Sequence, residues 1–114
     1  MRTLVVAGDG SLPSALREVI ERGSTVVEQR HVRDVGDALP AGIDRVVFWT
    51  AGKDPAIVRL ANASARREAS ARREAIVFVA GSAPAAEGVE ISPAELYVWP
   101  GDEDRLKLAF LTGG

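Results

Sequence analysis

The chain has 114 residues, 46% of them hydrophobic and 26% charged, which suits one compact domain and leaves too little for two. It contains no cysteine, which excludes thiolate nucleophiles, Cys-ligated zinc and iron–sulfur clusters, and roughly two-thirds of the unfolded surface of such a chain is buried on folding without staples. Twelve arginines and two lysines face 16 acidic residues for a formal charge of −2, so no whole-chain field draws in nucleic acid or anionic lipid.

Leu4–Ala7 is a short apolar run ended by Gly8-Asp9-Gly10, and it reads as a strand buried on both faces. Leu12, Ala15, Leu16, Val19 and Ile20 recur at helical spacing, with Ser11 or Ser14 as cap and Gly23 at the carboxyl end. Thr25–Glu28 gives a second strand, and Arg33 to Leu39 a short helix stopped by Pro40. Val46–Trp49 is a third buried strand, closed by Thr50-Ala51-Gly52-Lys53. Asp54 caps the next helix, with Pro55 in its first turn and a run toward Glu74. Ile76–Ala80 is the fourth strand, ended by Gly81, and Ser82 to Pro93 leaves room for a loop or one helical turn. Leu96–Trp99 makes the fifth strand, Pro100-Gly101 the turn, and Asp102 caps a last helix that turns Leu106, Phe110 and Leu111 inward.

Five apolar strands alternating with helices predict a three-layer α/β/α sandwich around a five-stranded parallel sheet in a single domain spanning 1–114. Ligands of such sheets sit outside the carboxyl ends of the strands, so the residues to question are Ala7 to Gly10, Trp49 to Lys53, Ala80 to Ser82 and Trp99 to Gly101. No apolar run approaches the ~20 residues of a bilayer span, and the opening apolar stretch is too short for a secretory signal. The expectation is a cytoplasmic protein.

The element order and the closing strand-Trp-Pro-Gly-helix resemble the receiver domain of bacterial response regulators over nearly the whole chain. That resemblance implies the flavodoxin-like strand order 2-1-3-4-5. In the family an acidic pair after the first strand binds magnesium, an aspartate ending the third strand takes the phosphoryl group, a Thr or Ser ends the fourth, and a Lys-Pro follows the fifth. Here the acidic pair falls on Ala7 and Gly8, with Asp9 one place late, the phosphoacceptor on Trp49, the hydroxyl on Ala80 and the lysine on Trp99, while Pro100 matches. Phosphoryl transfer by that route needs a carboxylate nucleophile, a metal held by further carboxylates and a cation. The resemblance therefore implies a pseudo-receiver, not an enzyme, without metal or cofactor, whose partner is another protein or a second copy. The two tryptophans, Trp49 and Trp99, either fill the space of the lost charged cluster or offer a stacking surface to a planar ligand or partner.

Gly8-Asp9-Gly10-Ser11-Leu12-Pro13 is also similar to the Gly-rich turn of Rossmann dinucleotide-binding proteins, with two glycines of three in place and Pro13 at the third. Glu28 would meet a ribose hydroxyl, and Arg30 and Arg33 a 2′-phosphate. Thr50-Ala51-Gly52 is similar to the Ala-Gly turn of short-chain dehydrogenases, but Tyr97 is followed four places on by Gly101, so their Tyr-x-x-x-Lys is missing. The alternative function is thus a small nucleotide-binding regulatory domain.

Ser64-Ala65-Arg66-Arg67-Glu68-Ala69 repeats directly as Ser70-Ala71-Arg72-Arg73-Glu74-Ala75. On a helix Arg66 and Arg73 nearly align, and Glu68 precedes Arg72 in the favourable order. Arg66, Arg67, Arg72 and Arg73 form a solvated outer face or a surface for an anionic partner. The sole histidine, His31, is expected at the surface, and Ser92–Glu95 fits a capping box. Thr112-Gly113-Gly114 suits a linker to a following effector domain.

Overall fold

The computed structural model describes residues 2–8, 12–35, 42–66, 75–90 and 95–112. In chain order these are β1 (Arg2–Ala7), α1 (Ser14–Arg22), β2 (Val26–His31), α2 (Val32–Val35), β3 (Arg45–Thr50), α3 (Pro55–Arg66), β4 (Ala75–Ala80), a 3-10 turn (Pro84–Ala86), β5 (Leu96–Val98) and α4 (Glu103–Thr112). The strands form one sheet in the order β2-β1-β3-β4-β5, and every neighbouring pair is parallel. This is the flavodoxin-like order. A Rossmann half would run β3-β2-β1-β4, so that resemblance does not extend to the topology.

The pleat explains why the central strands read as unbroken apolar runs, since successive side chains point to opposite faces and both faces are covered. Leu4, Val6, Val46, Phe48, Ile76 and Phe78 face α2 and α3, where Val32, Ile57, Leu60 and Ala61 meet them. Val5, Ala7, Val47, Trp49, Val79 and Tyr97 face α1 and α4, where Leu16, Val19, Ile20, Leu106 and Phe110 close the layer. Phe48 and Phe78 stack in register at 6.5 Å between ring centroids. The side chain of Leu111 lies outside those described.

Several boundaries differ from expectation for local reasons. β2 runs on to His31 through Glu28, Gln29 and Arg30, because it is an edge strand whose polar side chains keep access to water. Among the described residues the second helix is Val32–Val35; the expected stretch beyond it lies outside them. So do residues 67–74, which carry the expected continuation of α3, and residues 91–94, which carry most of the expected capping box. β5 ends at Val98, and Trp99 belongs to the turn.

Two caps also differ. Ser14 is the first helical residue of α1, and Pro13 stands at the cap with no side-chain bond; its carbonyl accepts from Arg17 N at 2.9 Å. Asp102 precedes α4, but its Oδ2 accepts from Val98 N at 2.8 Å, so the carboxylate is turned back to the strand. Gly23 ends α1 at φ −92°, which any residue adopts. Glycine is needed there for space, since a Cβ would fall 2.6 Å from the Phe110 carbonyl oxygen.

Candidate functional site

The carboxyl edge of the sheet is closed by backbone bonds just past the strands. Gly8 N donates to Trp49 O at 3.2 Å, Gly81 N to Thr50 O at 2.8 Å, and Trp99 N to Ala80 O at 2.7 Å. The Thr50 hydroxyl, buried, donates to the Gly52 carbonyl. Two glycines permit this closeness. A Cβ at Gly81 would fall 2.7 Å from Ala51 O, and one at Gly8 would fall 2.1 Å from Asp54 Oδ2.

Asp54 is the expected cap of α3: its Oδ1 accepts from Ala56 N at 3.1 Å and from Ile57 N at 3.4 Å. Its second oxygen lies against Gly8, at the β1/β3 position where the strand order reverses and where ligands of doubly wound sheets sit. A carboxylate there opposes a phosphate by like-charge repulsion, which weakens the case for a pyrophosphate at the glycine turn. Asp9 and Gly10, the other candidates of that turn, lie outside the described residues.

Trp49 is 3% exposed and Trp99 is 9% exposed, and both pack in the layer beneath α1 and α4. Of the two expectations for these side chains, the geometry is that of core filling, since neither indole presents a face to solvent. Trp49 Nε1 is buried without a hydrogen-bond partner among the described residues. Among the described residues, no group of three or more His, Asp or Glu is placed to hold a metal ion.

An open groove lies to one side, between α3 and the β4–β5 crossover. This groove measures about 630 Å³, and Lys53, Asp54 and Pro55 stand at its α3 entrance. Val58 and Ala85 supply apolar floor, and Arg59 and Asn62 the α3 wall. Asn62, 8% exposed, pins the crossover to α3: its Nδ2 donates to Gly88 O at 2.8 Å and its Oδ1 accepts from Glu90 N at 2.8 Å. Gly88 has φ +84°, a left-handed turn conformation that favours glycine.

Two ion pairs bridge the groove, Lys53–Glu87 at 2.9 Å and Arg66–Glu90 at 2.6 Å. Lys53, by hydrogen bond and by charge, holds the Glu87 carboxyl below its ordinary range. Arg66 is thus placed on the groove; Arg67, Arg72 and Arg73 lie outside the described residues. The sequence pointed to Lys53 through the strand-end rule and to Asp54 as a helix cap, but not to Arg59, Asn62 and Glu87. For Arg59 and Asn62 the signal was helical spacing, since 55, 58, 59, 62 and 66 share one face of α3, whereas Glu87 lies in the crossover, where no spacing marks it.

Elsewhere the charged side chains serve structure. Arg45, at the start of β3 and 5% exposed, lies over the Phe110 ring at 4.1 Å, and burial lowers its pKa. Arg105 lies over Tyr97 at 4.3 Å. No described helix is long and apolar enough to cross a membrane.

The class of protein that these features define is a parallel α/β domain of flavodoxin-like strand order. Comparisons with protein-family models, with curated proteins and with solved structures find no match to this chain.

Proposed function

We propose that the protein is a non-catalytic, receiver-like signalling domain that acts in the cytoplasm through contact with another protein or a second copy of itself. The observation that supports this reading is Trp49, 3% exposed at the end of β3, where the receiver resemblance requires the phosphoacceptor carboxylate. Ala80 and Trp99, 0% and 9% exposed, stand at the hydroxyl and lysine positions, so the groups that phosphoryl transfer needs are replaced by packing. The alternative, a nucleotide-binding regulatory domain, has in its favour Gly8 at the β1/β3 edge and against it the Asp54 carboxylate beside that glycine.

Incubation with acetyl phosphate and magnesium, followed by intact-mass measurement, tests the reading: the expected result is an unmodified chain, and stoichiometric phosphorylation overturns it. Calorimetry with NAD(H), NADP(H) and ATP addresses the alternative. No binding is expected, whereas saturable micromolar binding of any of them replaces the first reading with the second.

A further inference from the structure

We propose that the groove between α3 and the β4–β5 crossover is a binding site for a small organic monoanion, a carboxylate on an apolar body, with Arg59 as the residue that receives the carboxylate. The inference is independent of the receiver-like reading, because it uses none of Trp49, Ala80 and Trp99, on which that reading rests.

Size argues for a small ligand. At about 630 Å³ the groove falls within the roughly 300–1,000 Å³ of small-molecule sites. Its walls are preformed, since the paired bonds of Asn62 fix the 88–90 segment against α3.

Charge argues for a single anion. Of the charged side chains that line the groove, Asp54 caps α3, Lys53 is paired with Glu87 and Arg66 with Glu90. Arg59 alone has no hydrogen bond or ion pair among the described residues. It stands midway along α3, between the two bridging pairs, above the apolar floor of Val58 and Ala85. A guanidinium offers a planar fork that one carboxylate satisfies with two parallel bonds. The floor beside it has nothing to offer a second charge and suits a hydrocarbon or ring. A cation would meet Arg59 directly, and a polyanion would place further charge against Glu87 and Asp54.

The test is an amide-resolved NMR titration of the 114-residue chain with benzoate and with octanoate, one planar and one linear body, against neutral benzamide. The expected result is saturable shifts confined to residues 53–66 and 84–90 with at least one of the acids and none with benzamide. Arg59 is exposed, so Arg59→Gln should keep the spectrum elsewhere and weaken the acid about tenfold. The proposal is overturned if neither acid gives saturable shifts there, if benzamide shifts the same amides as strongly, or if Arg59→Gln binds as the unaltered chain does.

Discussion

Gly8 and Asp54 show how single residues fix the carboxyl edge. Asp54 can cap α3 and lie against β1 at once only because Gly8 has no side chain: a Cβ there would meet Oδ2 at 2.1 Å and the Ile57 side chain at 3.2 Å. Gly8→Ala should therefore displace the carboxylate and cost about 1–2 kcal/mol, the scale of a lost N-cap. In urea titrations the same change should cost much less when made on Asp54→Ala, and equal costs in the two backgrounds would remove the coupling.

Glu87 makes a pH-dependent contact. Lys53 depresses its folded-state pKa, so the Lys53–Glu87 tether is complete above the unfolded carboxyl value and is lost as pH falls through the depressed one. Both side chains are exposed, so the effect is local. A carboxyl-carbon NMR titration should find Glu87 titrating low, and Lys53→Gln should restore the ordinary range. The buried tryptophans should give blue-shifted emission shielded from iodide, and red-shifted, quenched emission would contradict their packing.

At the scale of elements, the β4–β5 crossover contrasts with the other three. Those carry helices that cover the sheet, whereas the described part of this one, through residue 90, carries the 3-10 turn Pro84–Ala86 followed by the left-handed Gly88, and α3 keeps an open flank. Asn62 compensates by supplying the bonds that a neighbouring element would otherwise make. Asn62→Ala removes both, leaving a part-buried backbone donor at Glu90 and acceptor at Gly88 without their partner, and should cost about 1–2 kcal/mol. Hydrogen exchange should locate the loosening at 84–90 and leave β1 and β3 protected; uniform loss of protection would show that Asn62 acts on the whole fold instead. In α1, Glu18–Arg22 and Arg17–Glu21 pair at i,i+4, but both are exposed and such pairs contribute about 0.3–0.5 kcal/mol each.

At the scale of the molecule, the two apolar layers share β1, β3 and β4, so a cavity in one is felt through the sheet by the other. Phe48 is fully buried and stacks on Phe78. Phe48→Ala should cost about 3–5 kcal/mol and lower the urea midpoint with one coincident transition by fluorescence and far-UV dichroism. Separate transitions by the two probes would mean that the α1/α4 layer, which holds both tryptophans, melts independently. The proposed absence of phosphoryl chemistry belongs to this scale too, because it rests on the ends of four strands, β1, β3, β4 and β5, taken together.

Sequence by itself determined the layers: runs such as Val46–Trp49 and Ile76–Ala80, apolar on both sides of the pleat, require a sheet covered on two faces, and their alternation with helices requires parallel strands. It also located Asp54 as a cap, because Asp-Pro before a periodic segment has local physics sufficient to define it. Only the tertiary structure decided what depends on neighbours distant in the chain. Gly23 reads as a helix terminator yet is required for its approach to Phe110, and Asp102 reads as a cap yet bonds back to Val98. Trp49 and Trp99 could line a mouth or fill a core until the α1/α4 layer closed over them. Arg59, an unremarkable helix arginine in the sequence, stands apart because contacts across 24 or more residues engage Lys53 and Arg66 and leave it open. Local propensity sets elements, but the commitment of a charge or the space around a glycine is a property of the assembled surfaces.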